Sequence, residues 1–249
     1  MRKTIAALFA AAIAIVAPAS ADDREGDYLY RIETIRAAPG KLKDLLAWAQ
    51  QAKEARYFED AGGSFPLVMR HSQGDQWDLM VMLPMQSFAD YHSKARTKKR
   101  EAAAAKHRDL LAAQGGLIAF EEDIFAFGPS FEDIERAYRD NALFHIEMFA
   151  AAPGREGDLL EQRRMENAYL GATGQTQNMI FRRANGTDVD VFTIGFHKSL
   201  EAFAAPSPAS DDEKEAAAKA AGFKDRADIS FYLRSLISSH HDTLATKVE

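Results

Sequence analysis

The sequence predicts an α+β protein built from two tandem β-α-β-β-α-β units whose antiparallel sheets face each other within one chain. Three observations carry this expectation. Residues 30–46 and 144–160 match at nine of 17 positions at a constant offset of 114: Ile32/Ile146, Glu33/Glu147, Ala37/Ala151, Ala38/Ala152, Pro39/Pro153, Gly40/Gly154, Asp44/Asp158, Leu45/Leu159 and Leu46/Leu160. In both copies the hydrophobic period changes from two to about 3.6 across a Pro-Gly pair. Further along, turn and cap residues recur in the same order at an offset of 112: Arg70/Arg182, Gly74/Gly186, Asp78/Asp190 and Ser87/Ser199. Self-similarity of this kind marks a duplicated structural unit.

In the first copy, residues 28–36 alternate and are rich in β-branched side chains, so they read as a strand. Pro39-Gly40 ends it, because proline removes a backbone donor and glycine permits positive φ. Leu42, Leu45, Leu46, Ala49 and Ala52 then recur at helical spacing. Residues 67–71 and 79–83 are strands around the turn signal Gly74-Asp75. Ser87 is the expected N-cap of one long helix reaching about Gln114, ended by Gly115-Gly116. Residues 117–127 form a fourth, aromatic-rich strand. Residues 131–141 read as a short connecting helix.

The second copy repeats the order. Residues 144–149 are a strand, Pro153-Gly154 the break, and residues 155–169 a helix. Strands at 179–183 and 189–196 flank Asn185-Gly186, a strong hairpin dipeptide. Ser199 starts a helix that Pro206 and Pro208 interrupt, a further helix resumes at Asp211, and a last strand is expected in 234–243.

This element order is the ferredoxin-like split unit, a sheet with helices on one face. The bare face needs a partner. Two copies in tandem supply it, and the expected result is an intrachain pseudo-dimeric α/β barrel. The expected layout is a signal peptide at 1–21, a first repeat at 22–130, a connecting helix at 131–142 and a second repeat at 143–249.

A strand running into Pro39-Gly40-Lys41 and an amphipathic helix, found again at Pro153-Gly154-Arg155, resembles the dimeric α/β-barrel superfamily. That group includes antibiotic-biosynthesis-type monooxygenases, EthD-like and NIPSNAP-like proteins and the haem-binding chlorite-dismutase relatives. The resemblance spans nearly the whole chain after residue 21. It implies the fold, and for several members a cofactor-free oxidation or isomerisation of a hydrophobic small molecule. The motif is structural and fits many functions.

Arg2 and Lys3, an unbroken apolar run at 5–16 and Ala19-Ser20-Ala21 before Asp22 form the three-part pattern of a secretory signal peptide. The run is shorter than the ~20 residues of a membrane span. The expected mature chain begins at Asp22 and is periplasmic or secreted. It has no cysteine, so its stability must come from its core rather than from disulfides. Beyond residue 21 there are 29 Lys and Arg against 37 Asp and Glu, a net charge of −8. That balance argues against nucleic acid, whose binding rests on phosphate neutralisation. The Lys98-Lys99-Arg100 run reads as a solvated helix face.

The candidate chemistry centres on the first strand of each copy. Alternation places Phe144, Ile146 and Met148 on one face, expected to lie under the helices. His145 and Glu147 then point to the facing sheet, and the same parity gives Arg31 and Glu33. These four are the candidate catalytic residues, as a carboxylate beside a His or Arg can be tuned for acid–base work. The competing reading is an ion network that fixes the pairing of the two halves. Near the C-terminus, at an offset of 119, Ile118 matches Ile237 and Asp123 matches Asp242, so Glu121-Glu122 stands where the second copy has His240-His241. Neighbours on a strand face opposite ways, so His240 and His241 cannot share one metal, and no metal site or cofactor is assigned.

Phe65, Met69, Trp77, Met80, Met82, Met85, Phe88, Tyr91, Met148, Met179, Phe181 and Phe192 could line a pocket or fill a core. His71, His92, His107 and His197 are haem-ligand candidates by residue type. Dinucleotide, phosphate-loop, serine-hydrolase and zinc-protease motifs are absent. The sequence therefore favours binding of a small apolar ligand by a monomeric pseudo-dimer or a homo-oligomer, with cofactor-independent monooxygenase or isomerase chemistry. The alternatives are a non-catalytic scaffold for a partner protein and a haem-binding barrel.

Overall fold

A computed structural model describes residues 25–248. The expected signal peptide lies outside them. The first half comprises β1 (Tyr28–Ala37), α1 (Leu42–Glu54), α2 (Tyr57–Asp60), β2 (Leu67–Gln73), β3 (Leu79–Gln86), α3 (Phe88–Tyr91), α4 (Lys94–Lys106), α5 (Arg108–Gln114) and β4 (Ile118–Gly128). After α6 (Phe131–Asp140) the second half follows as β5 (Leu143–Ala151), α7 (Glu156–Ala172), β6 (Met179–Gly186), β7 (Val191–His197), α8 (Leu200–Ala204), α9 (Asp211–Ala220), α10 (Asp228–Leu236) and β8 (Ile237–Lys247). The strands close into one antiparallel barrel in the order β1-β3-β2-β8-β5-β7-β6-β4. Each half contributes the ferredoxin-like order 4-1-3-2, and the halves join edge to edge at β2–β8 and β4–β6. Closure leaves no unpaired edge.

Matching residues of the two halves do matching work. Asp78 and Asp190 each accept a hydrogen bond from the end of the first strand, Ala37 N and Ala151 N, both at 2.8 Å. Ser87 and Ser199 cap α3 and α8 by accepting from Asp90 N and Ala202 N. At the two seams Gly74 (φ 110°) and Gly186 (φ 121°) lie against the carbonyl oxygens of Asp242 and Asp123, where a Cβ would collide. Only glycine combines that φ with that approach.

Two helix boundaries differ from expectation. The single helix from Ser87 to Gln114 is three: Ser93 accepts from Arg96 N at 3.3 Å and starts α4, and His107, at φ −105°, separates α4 from α5. Such side-chain bonds offer the backbone an alternative to a continuous helix. The last strand begins at Ile237, because Arg234–Leu236 complete α10.

The barrel interior is packed with apolar side chains. Tyr30, Ile32, Met69, Met80, Met82, Phe144, Ile146, Phe181, Phe192 and Ile194 are at most 1% exposed. Phe181 stacks on Phe192 at 4.4 Å. Helix α6 packs Ile134 and Tyr138 onto the same cluster, with Tyr138 stacked on Phe144 at 5.2 Å. Separate apolar layers join the outer faces of the sheets to α1 in the first half and to α7 and α10 in the second. Most of the Met and aromatic candidates are therefore core. Phe65 and Tyr91 line a cavity, and Phe88 is exposed.

Candidate functional site

Alternation correctly groups the candidate residues but assigns them to the wrong face. Phe144, Ile146 and Met148 fill the barrel, whereas Arg31, Glu33, His145 and Glu147 point outward, beneath the helices. Period two says which residues share a face, not which face is enclosed. A closed barrel filled with side chains must take the apolar set, because buried carboxylates without partners are costly. The four residues consequently form two separate sites, one in each half.

In the first half, Arg31 is held by a bidentate pair to Asp123, Nε to Oδ1 and Nη2 to Oδ2, both at 2.9 Å. Its Nη1 lies 2.9 Å from Glu33 Oε1, and Nη2 lies 3.6 Å from Glu121. The Glu33 side chain is 14% exposed. Burial pushes its carboxyl up to about 7; Arg31 works against this, and Glu121 and Asp123 add to it. Glu33 and Arg31 line a cavity of about 280 Å³ between the sheet and α1–α5, walled by Trp48, Tyr57, Phe58, Phe65, Tyr91 and Leu111. The helices hold these walls through specific contacts. Trp48 Nε1 donates to Leu110 O at 2.7 Å, and the Arg100 guanidinium lies 4.1 Å over the Tyr91 ring. Arg100 thus packs inward, while Lys98 and Lys99 are solvated.

In the second half, His145 Nε2 is 3.0 Å from Asp242 Oδ1, and His240 Nε2 is 3.3 Å from Asp242 Oδ2. Glu147 Oε2 accepts from Thr193 Oγ1 at 3.0 Å and from Arg163 Nη1 at 3.4 Å. Arg163 also pairs with Glu166 and lies 4.6 Å over the Phe149 ring. Burial opposes the charged form of His145, but the hydrogen bond to Asp242 and the nearby carboxylates carry its pKa above the usual value. The same hydrogen bond holds Asp242 low. Burial raises Glu166 and lowers His197. His145, Glu147, Glu166, Asn178, His197 and Phe203 line a polar cavity of about 240 Å³.

The contrast between the sites traces to helix positions 114 residues apart. Trp48, Ala49 and Ala52 of α1 become Gln162, Arg163 and Glu166 of α7. Small residues leave the first cavity open above Glu33, and an Arg–Glu pair covers Glu147 in the second. Sequence reasoning missed Asp123, Asp242, Arg163 and Trp48 as site residues. The 119 offset linking Asp123 to Asp242 was the available signal. It needed the β1–β4 and β5–β8 register, which sets Glu33 opposite Asp123 and Glu147 opposite Asp242. His240 and His241 do point opposite ways, His241 toward Asp75, on a strand paired along both sides.

A haem ligand would have to face an apolar slot. His71 Nε2 accepts from Asp75 N, His107 pairs with Asp60, and His92 is exposed. His197 faces a cavity whose floor is ionic. These residues do not fit a haem. Among the described residues no helix is long and apolar enough to cross a membrane.

No family model matches the chain, and no curated protein matches it in sequence. Solved structures do match in fold. An anthrone oxidase-like protein superposes with a TM-score of 0.56 at 13% identity, covering 90% of this chain and 93% of the other. A chlorite dismutase variant from Candidatus Nitrospira defluvii does so at 0.46 and 11% identity, covering 90% and 93%. The closed α/β barrel, with both ferredoxin-like units on one chain, shares its fold with the anthrone oxidase-like structure.

Proposed function

We propose that this is a periplasmic or secreted protein whose first half binds a small, largely apolar molecule and removes a proton from it with Glu33. The observation that carries the reading is a carboxyl poised at about 7 on the floor of an aromatic-walled cavity. A general base works best when its pKa lies near the operating pH. Arg31 is a positioning residue: tied to Asp123 on one edge, it holds Glu33 through Nη1. The cavity volume suits a compact bicyclic or tricyclic molecule, near the lower end of the ~300–1,000 Å³ usual for ligand sites. Fitting substrates are carbon acids and phenols, whose anions an apolar cavity shields from water. Return of the proton to another carbon is an isomerisation. With dioxygen as co-reactant the same carbanion leads to oxidation; for anthrone, one O₂ gives anthraquinone and one water.

The secretory pattern of residues 1–21 supports the location, and N-terminal sequencing of native protein should begin at Asp22. The likeness to an anthrone oxidase-like protein makes anthrone the first probe. Wild-type protein should bind anthrone and speed its consumption of oxygen, and Glu33→Gln should bind it with turnover reduced at least a hundredfold. Equal rates in the two proteins would exclude Glu33 as the base.

A further inference from the structure

We propose that the second half is a binding site for a divalent first-row transition cation, held by His145 Nε2, a carboxylate oxygen of Glu147 and Asp242 Oδ1. Ligand atoms of these three residues lie within 4.8 Å of one another. Ligands about 2.0–2.2 Å from a common ion are themselves about 3–4.4 Å apart, so small side-chain shifts complete the site. All three sit on rigid neighbouring strands. His145 and Glu147 share one face of β5, and Asp242 is directly opposite Glu147 on β8.

The surroundings leave the right atoms free. Thr193 and Arg163 both engage Glu147 Oε2, which leaves Oε1 for an ion. Arg234 donates to His240 Nδ1 at 2.8 Å, so His240 presents Nε2–H to Asp242 Oδ2 and orients Oδ1 toward His145. Outer contacts of this kind fix ligand geometry in metal sites. Glu147 and Glu166 share one guanidinium, that of Arg163, and Asp242 pairs with the imidazoles of His145 and His240, so three carboxylates meet a single permanent cation, leaving an excess of negative charge for a dication.

The first half supplies an independent observation. There Glu33, Glu121 and Asp123 converge in the same way, and the centre of the cluster is filled by the Arg31 guanidinium. At the 114 offset, Arg31 corresponds to His145. The barrel therefore places a cation at this position, built into the chain in one half. In the other half the arginine is exchanged for a metal-binding imidazole. One imidazole with two carboxylates suits Zn²⁺, Mn²⁺ or Fe²⁺. The remaining coordination positions open on the cavity shared with Asn178 and His197, where an exchangeable water or an anionic ligand can enter.

The test is calorimetric titration of the chelator-stripped full chain with Zn²⁺, paired with Mn²⁺ binding followed by electron paramagnetic resonance. One equivalent should bind, and His145→Gln and Asp242→Asn should each weaken it at least tenfold. A second measurement needs no variant. Carbethoxylation of the wild-type histidines, mapped by mass spectrometry, should be blocked by Zn²⁺ at His145 and not at the exposed His92. Absence of saturable binding, binding that survives both substitutions, or unprotected His145 in the presence of Zn²⁺ would overturn the proposal.

Discussion

The two halves of the barrel have the same strands, seams and caps, yet the space under their helices is used in opposite ways. In the first half, α1 turns Trp48 and the small Ala49 toward the site, and a cavity remains above Glu33. In the second, α7 offers Arg163 and Glu166, and Glu147 is covered by an ion pair. Both glutamates are almost equally buried, at 14% and 13% side-chain exposure. Their environments differ because one neighbouring cation is shared among partly hydrated acids and the other is enclosed. Duplication preserved the frame that positions a carboxylate, and a few helix residues decided what that carboxylate does.

The largest expected effect follows from this difference. Arg163 is 2% exposed, and removing it leaves Glu147 and Glu166 buried without their cation. Arg163→Met should cost about 3–5 kcal/mol in chemical denaturation. Arg31→Met should cost about 1 kcal/mol or less, because Glu121 and Asp123 are 40% and 36% exposed and rehydrate in place, and the buried Glu33, already raised to about 7, takes up a proton instead. Equal losses would show that the halves are not energetically distinct.

Next comes the pH dependence of the first half. The folded chain raises Glu33 from 4.5 to about 7, so between these values it binds more protons than the unfolded chain. Stability from this group is fully present below about 4.5 and is lost as pH rises through about 7, to the extent of about 3 kcal/mol. Glu33→Gln should remove that fall, which denaturant midpoints measured from pH 4.5 to 8 will report. A variant that keeps the wild-type slope would show that Glu33 titrates normally.

How much of this was legible in the sequence follows the same division. The repeat, the Pro-Gly breaks and the hairpin glycines are local features, and the barrel could be read from them. Asp78 and Asp190 or Ser87 and Ser199 reveal themselves by recurring. The burial face could not be read this way. His145 and Glu147 between Phe144, Ile146 and Met148 alternate identically whether the apolar set meets helices or fills a barrel, and only closure selects. The differences that make the sites unlike are long-range. Nothing near Ala49 or Arg163 in sequence says that each overlooks a glutamate on the preceding strand. Asp242 gains its meaning only from pairing with a strand 95 residues earlier.

The seams should respond alike where the sites do not. Gly74→Ala and Gly186→Ala force a Cβ into positive φ and toward a facing carbonyl, at about 1–3 kcal/mol each. Thermal melts of the two variants should agree closely. A clear difference would mean that the two junctions carry unequal strain, and that the pseudo-twofold stops at the sites' edges.

The smallest expected change in stability tests the comparison most directly. Ala49→Arg places in the first half the residue that its counterpart already carries. Ala49 lines the open cavity, so the new side chain has space without displacing core. Its guanidinium should reach Glu33 as Arg163 reaches Glu147, at 3.4 Å in the existing pair. Stability should move by less than about 1 kcal/mol, since the cost of ordering and partly desolvating the arginine offsets the new ion pair. The site should change far more. A second cation beside Glu33 favours its ionised form and lowers its pKa, and the filled cavity should weaken an apolar probe such as anthrone at least tenfold. Retained binding with an unshifted Glu33 would show that α1 is not what sets the two halves apart.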